Sequence, residues 1–520
     1  MLGLTKSFQG ALLLAVLLGT GCGRERPSLL ETKGGGGELR VVLPAEPLDL
    51  DPNSFRDEIS LLVAPNLYSR LVMLDADSRI HPDLAKSWEV GRGGLEYTFH
   101  LREGVRWHDG RRFKAADVRW TLEHLARRPS WAAEALRRIA AVETPDERTV
   151  VVRLTEPWAP FIATLAAHGV FILPAGATGR SKTPIGTGPF KFLEWIPGQR
   201  IVLTANLGFF RPGPFLDRVV FRFQPDPERS LEMLLANQAD HVVGRPPLAI
   251  LHRLARDPRL RVVTSPSDAR YLLAFNLRRS PFGDLRVRQA VNRALDRSEL
   301  LARAFYGYGA PGLGFYTPAV AWAYNPSARA PEFDPVQARA LLDAAGLRPD
   351  TRGVRLEPEL LFSSPVQDIA RVVADQLRAV GIAVRLTAVS NGGWIERAIR
   401  RHDFDLALVG GNQGPDPENL NSRFGSRGPA QFLGYGNPEF DAAVATGART
   451  VDLAQRARAY FRAQEILARD LPVAPLAESV QVTVCRREVV GLPRLEGRGL
   501  VAEQEYSLVR VHRPAAGGQR

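Results

Sequence analysis

Apolar and polar positions alternate regularly between residues 355 and 410, and this pattern predicts an α/β architecture. Three short runs rich in aliphatic residues read as strands, RLEPELLFSS, IAVRLTAVS and FDLALVG. Between them, VQDIARVVADQLRAV and WIERAIRR carry apolar residues at three- and four-residue spacing, which is typical of amphipathic helices. The first helix is expected to stop at Gly381. Strand, helix, strand, helix, strand at this spacing predicts right-handed crossovers and a parallel sheet.

The third of these strands leads into a loop, GGNQGPDP at residues 410–417, that we expect to bind a ligand. Ligands of open parallel sheets lie beyond the carboxyl ends of the strands, where this loop is placed. Gly410 and Gly411 allow a close approach of the backbone, and Asn412 and Gln413 supply hydrogen-bond donors and acceptors. The loop has no serine, cysteine or histidine, so binding fits it better than catalysis. A plain strand-to-helix connection, with the aspartate of the loop capping the next segment, is the alternative.

The rest of the chain divides into segments that predict more than one domain. Ordered structure is expected to begin with the strand LRVVLPAEP, from Leu39. Residues 51–183 mix one helix, ISLLVAPNLYSRLVML, with strands such as LEYTFHLR and ERTVVVRL. Residues 184–265 add the strands IVLTA and RVVFRFQ and the helix PERSLEMLLANQA, and a more helical region follows from Asp268. A chain of 520 residues is too long for one simple core, so two or three domains are expected.

The N-terminus has the features of a secretion signal. One positive charge, Lys6, precedes the apolar run ALLLAVLLG, which is too short to cross a bilayer as a stable helix. The run ends in GTGC, which resembles the lipobox of bacterial lipoproteins and predicts that Cys22 is lipidated and becomes the mature N-terminus. An ordinary signal peptide with an incidental cysteine is the alternative, because Gly19 stands where a branched residue is usual. We expect a signal peptide at residues 1–21 and a flexible, glycine-rich tether at residues 22–38.

Composition and short motifs argue against several function classes. The net charge of +12 is carried almost wholly by arginine, but acidic residues are mixed in throughout, so nucleic-acid binding is not expected. GYGAPG at residues 307–312 follows a predicted helix rather than a strand, which argues against a dinucleotide site, and the sequence has no P-loop or GxSxG motif. Cysteine and histidine show no metal-ligand spacing, and Cys485, in an alternating strand pattern, is expected to be a buried structural thiol. We therefore expect neither cofactor nor metal, and no enzymatic activity.

Several blocks of the sequence, in consistent order, resemble one protein family. The blocks are HPDLAKSWEV with LEYTFHLREGVRWHDGRRFKAADVRWTLEHL, then TPIGTGPFKFLEW, then SPFGDLRVRQAVNRALDRSEL. They resemble the bacterial extracellular solute-binding proteins of family 5, the binding components of ABC importers for peptides, nickel complexes and related solutes. The resemblance extends from about residue 39 to residue 511. His108, in the WHDG turn of the first block, is expected to have a structural role.

The resemblance implies a two-lobed periplasmic-binding-protein-like fold of class II, the large peptide-binding type, with an extra α+β subdomain in the first lobe. Solute bound in the cleft would contact both lobes and stabilise the closed form. The implied boundaries are residues 39–267 and 477–511 for lobe one, about 51–183 for the subdomain within it, 268–476 for lobe two, 268–275 and 471–476 for the hinge, and 512–520 for a disordered tail.

The resemblance also implies partners and a location. A peptide or related small polar solute would be passed to ABC permease subunits in the membrane, which work with cytoplasmic ATPase subunits. The chain would be a monomer, held on the extracytoplasmic side, in the periplasm or at the outer cell face, by the lipid on Cys22. A lipoprotein sensor or a periplasmic chaperone that uses the same ligand-closing fold without transport is the alternative.

Candidate ligand contacts follow from the resemblance residue by residue. Peptide-binding relatives carry, in the 410–417 loop, an aspartate that pairs with the free amino group of the peptide. Gln413 stands at that position, or Gly414 if the loop is one residue shorter. A buried ammonium without a counter-charge is costly, so recognition of a peptide amino terminus is not expected unless Asp416 is re-aimed. The remaining candidates are Arg56, which could meet a carboxylate, its neighbour Asp57, Trp131 as a cleft wall or a core residue, Asn276 beside the hinge, and Glu478 where the second hinge strand leaves.

Overall fold

The structure is a computed structural model, and it describes residues 36–51, 57–75, 79–128, 132–166, 170–177, 183–244, 246–492 and 505–512. These residues belong to one compact unit, Lys33–Arg520. Several predictions fall outside the described residues: the signal peptide, the lipidated Cys22, most of the tether and of the tail, and the candidate contacts Arg56 and Trp131.

Strands supply the framework on which both lobes are built. Their bounds are β1 Glu38–Leu43, β2 Val72–Leu74, β3 Ile80–Pro82, β4 Ala85–Gly91, β5 Glu96–Leu101, β6 Ile139–Asp146, β7 Thr149–Leu154, β8 Phe190–Ile196, β9 Arg200–Ala205, β10 Arg218–Phe223, β11 His241–Val242, β12 Leu260–Phe275, β13 Ala310–Pro311, β14 Glu359–Ser363, β15 Arg385–Val389, β16 Leu406–Asn412, β17 Val473–Arg486, β18 Val489–Val490 and β19 Arg510–Val511.

Helices cover the faces of these strands. Their bounds are α1 Glu58–Leu67, α2 Ala115–Ala126, α3 Ala133–Leu136, α4 Phe161–Ala166, α5 Pro227–Leu235, α6 Leu248–Leu254, α7 Leu285–Arg293, α8 Arg297–Ala304, α9 Pro335–Ala344, α10 Gln367–Arg378, α11 Asn391–Trp394, α12 Asn419–Phe424, α13 Pro438–Arg449 and α14 Leu453–Asp470. Short 3-10 turns occur at Arg92–Gly94, Ala321–Ala323 and Ser364–Val366, and a π-helical segment, Ile395–Arg400, continues α11.

One eleven-stranded sheet runs through both lobes. Its order is β15-β14-β16-β12-β17-β11-β1-β10-β9-β8, with β13 paired to β17. The strands β12 and β17 are long because each passes from one lobe into the other, and they pair antiparallel along most of their length. The two lobes are therefore joined by a pair of hydrogen-bonded strands rather than by loose linkers.

The pairing of these two crossing strands is irregular at one place. The register shifts between Pro266 and Arg270 on β12, opposite Val480 and Glu478 on β17, and shifts again between Tyr271 and Leu272. A β-bulge of this kind leaves a residue unpaired and locally disrupts the ladder. The break lies beside the predicted lobe boundaries at residues 267–268 and 476–477, where the hinge is expected from the sequence.

The first lobe contains part of the eleven-stranded sheet and a separate four-stranded sheet. Strands β4, β5, β7 and β6 form an antiparallel four-stranded sheet whose core, with α2, extends from Leu71 to Ile172. This core lies within the interval of about 51–183 predicted for the extra subdomain. Helix α1 falls inside the predicted interval but packs elsewhere, because its Leu67 joins Val41 of β1 and Phe221 of β10 in the core of the main sheet.

The second lobe has the parallel sheet that the sequence predicts. Strand β14 pairs parallel with β15 on one side and with β16 on the other. Helix α10 buries one stripe, including Ile369, Val373 and Leu377, against this sheet. The predicted helix WIERAIRR is present as the π-helical segment Ile395–Arg400, whose buried residue is Ala398. The predicted series of strand, helix, strand, helix and strand is thus confirmed in the order and type of its elements.

The TPIGTGPF block ties the first lobe's elements together through close backbone contact. A Cβ atom on Gly186 would lie 1.9 Å from the carbonyl oxygen of Leu67, at the end of α1. His108 joins the same junction, because its Nδ1 accepts from the Gly186 N–H at 3.2 Å and its Nε2 donates to the Gly188 oxygen at 3.1 Å. Burial lowers the pKa of His108 to about 4, which keeps the ring neutral. The predicted structural role of His108 is confirmed.

Cys485 lies on β17 and is fully buried. Burial raises the pKa of its thiol to about 12, so the thiol is not a nucleophile at neutral pH. The prediction of a buried structural thiol is confirmed.

Candidate solute-binding cleft

The segment predicted as a ligand loop begins later than the sequence suggests. Gly410, Gly411 and Asn412 still belong to β16, where they pair with Tyr271, Arg270 and Ala269 of β12. The glycines serve this pairing, because a Cβ atom on Gly410 would meet the Tyr271 ring at 2.8 Å and Gly411 has a φ of +138°. The prediction that residues 410–412 are loop was therefore wrong, and the free loop starts at Gln413.

Gln413 and Gly414 are held by the crossing strand β12. The backbone N–H of Gln413 donates to the Asp268 carbonyl at 3.1 Å, and that of Gly414 donates to Asp268 Oδ2 at 3.2 Å. Gln413 is only 2% exposed, and its Nε2 donates to the Gly411 oxygen at 3.1 Å. Tyr316 Oη donates to the Gly414 oxygen at 3.3 Å. The loop is thus fixed by hydrogen bonds to β12, beside the predicted hinge.

Asp416 forms an ion pair inside the second lobe. Both of its carboxylate oxygens lie 2.9 Å from Nη2 of Arg456, on α14. Its Oδ1 also accepts from the N–H of Glu418 at 3.0 Å, within the turn that precedes α12. The N-cap of α12 is Glu418, which makes no side-chain capping hydrogen bond, so Asp416 is not the cap of this helix. The Arg456 guanidinium lies 5.0 Å from the centre of the Trp322 ring. Asp416 is therefore committed to Arg456 and is not placed to receive a solute ammonium.

A second buried ion pair lies at the hinge. Arg270 of β12 and Glu478 of β17 are 1% and 7% exposed, and Arg270 Nη2 is 2.8 Å from Glu478 Oε1. The same nitrogen donates to the Gly314 oxygen at 2.6 Å. Burial raises the pKa of Glu478, and Arg270 opposes that rise. The predicted contact Glu478 thus lies at the lobe junction, facing an arginine that sequence reasoning did not single out.

Arg423, on α12, is the third cation around this loop. Its Nη2 donates to the Asn412 oxygen at 2.9 Å and its Nε donates to Asn419 Oδ1 at 2.8 Å. Burial lowers the pKa of Arg423, and the neighbouring charge of Arg270 lowers it further. Arg270 and Arg456 are buried and Arg423 is half-buried. In a chain with 68 lysines and arginines, nothing in the sequence distinguishes these cations from surface ones.

Two other predicted contacts have their side chains engaged by the protein. Asn276 is 1% exposed and its Nδ2 donates to the oxygens of His402 and Phe404 at 3.0 and 2.8 Å. It directly follows β12, whose last residue is Phe275. Asp57 caps α1, accepting from the N–H of Ser60 at 2.8 Å and from its hydroxyl at 2.6 Å.

The extra subdomain touches the second lobe across the cleft. The Ala159 N–H donates to the Ala448 oxygen at 2.7 Å. A Cβ atom on Gly94 would lie 2.8 Å from Cγ1 of Val451. These contacts join the subdomain to the α13–α14 turn, so they form a second point, besides the crossing strands, at which the lobes meet.

The carboxyl group of Glu418 gives the site a pH dependence. Burial raises its pKa to about 7. Hydrogen bonds from Asn421 Nδ2 at 2.8 Å and from Tyr460 Oη at 3.4 Å act in the opposite direction and lower this pKa. The folded protein therefore keeps a proton that the unfolded chain loses at its ordinary pKa of 4.5. This contribution to stability is complete below pH 4.5 and is lost as the pH rises to about 7.

We expect Glu418→Gln to remove that loss, which amounts to roughly 3 kcal/mol in the free energy of unfolding. Urea unfolding of the wild type and the variant at pH 5 and pH 8 measures the difference. At pH 8 the free energy of unfolding should be higher for the variant than for the wild type. The difference between the two proteins should be larger at pH 8 than at pH 5. Glu332→Gln, at an exposed glutamate, is the matched control and should leave the pH dependence unchanged. Equal pH dependence in the wild type and Glu418→Gln would contradict the account.

Two further kinds of feature, metal-binding clusters and membrane-spanning helices, are absent from the described residues. These residues contain no group of three or more histidine, cysteine, aspartate or glutamate side chains that could hold a metal ion. None of the described helices combines the length and apolar character needed to span a membrane.

Comparison with known proteins agrees with this geometry. The family model described as bacterial extracellular solute-binding proteins, family 5 Middle, matches residues 79–432. The chain is 30% identical to the peptide transport periplasmic protein SapA of Salmonella typhimurium, covering 83% of this chain and 84% of that one. It is 30% identical to the glutathione-binding protein GsiB of Escherichia coli O1:K1, covering 87% and 91%.

A solved structure gives the same result for the fold. The PBP AgaA of A. tumefaciens R10, in complex with agropinic acid, superposes with a TM-score of 0.74 at 26% identity, covering 92% of this chain and 99% of that one. The chain therefore belongs to the bacterial extracellular solute-binding proteins of family 5, the extracytoplasmic binding components of ABC importers.

Proposed function

We propose that the chain captures a small solute between its lobes at the Gln413 loop and passes it unchanged to ABC permease and ATPase subunits. One observation carries the proposal. A loop with hydrogen-bonding groups and no nucleophile lies at the carboxyl end of a parallel sheet and is hydrogen-bonded to the crossing strand β12. A solute that contacts this loop and the first lobe stabilises the closed arrangement by its differential affinity for it. Arg56, Asp57 and Trp131 remain the proposed contacts of the first lobe.

The class of solute is limited by the absence of an available negative charge at Gln413 and Asp416. The relatives are named for peptides and glutathione, and AgaA holds agropinic acid, so a small polar or peptide-like solute is proposed here. Gln413 is neutral and Asp416 is paired with Arg456, so neither offers a counter-charge to an ammonium group. We infer that the solute is not held through a free peptide amino group in the way that an aspartate would hold it.

We further propose that the mature chain begins at Cys22, carries a lipid there and acts as a monomer. The GTGC motif at the end of the apolar run supports the lipid anchor. Labelling of the expressed protein with a radioactive fatty acid tests it, with Cys22→Ser as the control. Label on the wild type and none on the variant is the expected result, and an unlabelled wild type would contradict the proposal.

Mass spectrometry of the purified protein tests the binding function. Under native conditions the protein should carry a small molecule without a covalent bond, and denaturation should release that molecule intact. A covalent adduct, or a solute that is converted on incubation with the protein, would point to catalysis and contradict the proposal.

Gln413→Asp should create an affinity for free-amine peptides. A carboxylate in this loop would accept charge-assisted hydrogen bonds from an ammonium, which are worth enough for a gain of roughly tenfold or more in affinity. Calorimetric titration with the dipeptide Ala-Ala measures it, and N-acetyl-Ala-Ala should show no gain.

Gln413→Asn, which shortens the side chain without adding charge, is the matched control for this prediction. It should bind Ala-Ala no better than the wild type does. An unchanged affinity of Gln413→Asp for Ala-Ala would place the amino group of a peptide elsewhere and remove this loop from the proposed site.

A further inference from the structure

A cavity of about 630 Å³ lies on one face of the second lobe's sheet. It is lined by Ser363 at the end of β14, by Asn391 just after β15 and by Gly410 near the end of β16. All three belong to the carboxyl edge of the parallel strands, which is where open sheets of this kind bind ligands. The volume falls within the range of about 300–1,000 Å³ that small-molecule sites occupy.

The cavity walls are largely apolar. Leu272 and Ala274 of β12 form part of one wall, and Phe432 and Ile399 contribute others. Trp394 also lines the cavity, and its indole Nε1–H is buried without a hydrogen-bond acceptor. A hydroxyl-rich solute would leave polar groups unpaired against these walls, whereas an aliphatic or aromatic group would bury apolar surface there.

The cavity lining carries one charge, and that charge is positive. Arg423 is the only ionisable side chain among the residues that line it. The hydrogen bonds of its guanidinium go to Asn412 and Asn419, which are neutral acceptors. The carboxylate of Asp268 acts on Arg423 through its charge, but no carboxylate among the described residues is recorded in an ion pair with it. The two cations nearby differ, because Arg270 is paired with Glu478 and Arg456 is paired with Asp416.

Arg423 also connects the cavity to the proposed cleft loop. Its hydrogen bond to the Asn412 oxygen places the guanidinium beside the residue that precedes Gln413. An acidic group bound by Arg423 would therefore lie between the apolar cavity and the loop at the hinge. A partly desolvated arginine binds a carboxylate more strongly than an exposed one does, since charge-assisted hydrogen bonds gain strength away from water.

We propose that the solute is an organic acid with an apolar part, whose carboxylate is bound by Arg423 and whose aliphatic or aromatic group fills this cavity. The proposal rests on the proposed function and specifies its substrate class. It assigns Arg423 as a residue that determines specificity, because the loop at Gln413 contains no positive charge that could bind a carboxylate.

Calorimetric titration of the full-length protein with a matched pair of probes tests the proposal. N-acetyl-L-phenylalanine carries a carboxylate and an aromatic group, and its primary amide keeps the aromatic group but has no charge and has an NH2 donor in place of one acceptor oxygen. We expect the acid to bind at least tenfold more tightly than the amide. Equal affinities, or binding of the amide alone, would overturn the proposal.

Two variants distinguish the contribution of the Arg423 charge to affinity from the contribution of the apolar cavity. Arg423→Gln should reduce the affinity for the acid at least tenfold and remove the difference between acid and amide. Ser422→Leu, which places a larger side chain on the cavity wall, should weaken both probes by a similar factor. Arg427→Gln, at an exposed arginine four residues along the chain, should change neither affinity.

The solute recovered from the protein as purified from cells separates this inference from the proposed function. An acid with an aliphatic or aromatic part supports the inference. A recovered solute that is neutral or cationic, or a failure of both probes to bind, overturns the inference while the binding function stands. A protein that neither carries a solute nor binds any probe overturns both.

Discussion

Arg456→Met should lower the free energy of unfolding by about 3–5 kcal/mol, which is the usual cost of removing one partner from a buried ion pair. The reason lies in Asp416, which is left without the two hydrogen bonds that Arg456 supplies. The side chains of Arg456 and Asp416 are only 8% and 11% exposed, so water does not replace the lost partner fully. Urea denaturation followed by circular dichroism measures the change.

A double variant and a surface control make this prediction specific. Arg456→Met combined with Asp416→Asn should recover part of the loss, because no uncompensated carboxylate is then buried. Arg462→Met, on the same helix, removes an arginine whose partners Glu439 and Glu465 are exposed, and it should cost less than about 1 kcal/mol. Equal effects of Arg456→Met and Arg462→Met would contradict the description of Asp416 as a buried, committed carboxylate.

Gly186→Ala should destabilise the first lobe by about 3 kcal/mol or more. An added Cβ atom would lie 1.9 Å from the Leu67 carbonyl oxygen and 2.8 Å from its carbon, and backbone atoms cannot move aside as a flexible side chain can. The junction that joins α1, the subdomain and β8 would have to open. Thermal unfolding compared with the wild type measures the effect.

Gly392→Ala is the matched control for this glycine. A Cβ atom there would have nothing within 4 Å, and the residue does not have a positive φ. Its effect should stay within about 0.5 kcal/mol, as for most surface substitutions. A mild effect of Gly186→Ala would show that the TPIGTGPF block does not make the close backbone contact described here.

The second lobe could be predicted from its sequence because its signals are local. The strands β14, β15 and β16 and helix α10 each show their own periodicity, and their order alone predicts parallel pairing. The start of the loop that follows β16 was predicted to within three residues, since β16 ends at Asn412. The error at residues 410–412 arose because β16 is prolonged by pairing with β12, which lies more than a hundred residues earlier.

The chemistry of the site was less predictable, because it depends on contacts between distant segments. From the sequence, Asp416 was expected to be a carboxylate in a loop. In the structure it is hydrogen-bonded to Arg456, which lies forty residues later in the chain. Arg270 and Arg423 carry no distinguishing pattern in an arginine-rich chain. Arg270 is identified only by its burial, and Arg423 by its partial burial and its hydrogen bonds to Asn412 and Asn419. Asn276 directly follows β12, and its amide donates to the oxygens of His402 and Phe404, which lie more than a hundred residues later in the sequence.

The central claim is that a solute closes the cleft by binding both lobes, and a distance measurement between the lobes tests it most directly. Spin labels on cysteines at Thr155 and Leu453, both exposed, report the separation of the subdomain from the α13–α14 turn. Pulsed electron resonance should give a longer or broader distance distribution for the protein stripped of solute. Adding back the solute recovered from the native protein should shift it to a single, shorter distance. A distribution that the solute leaves unchanged would contradict the account.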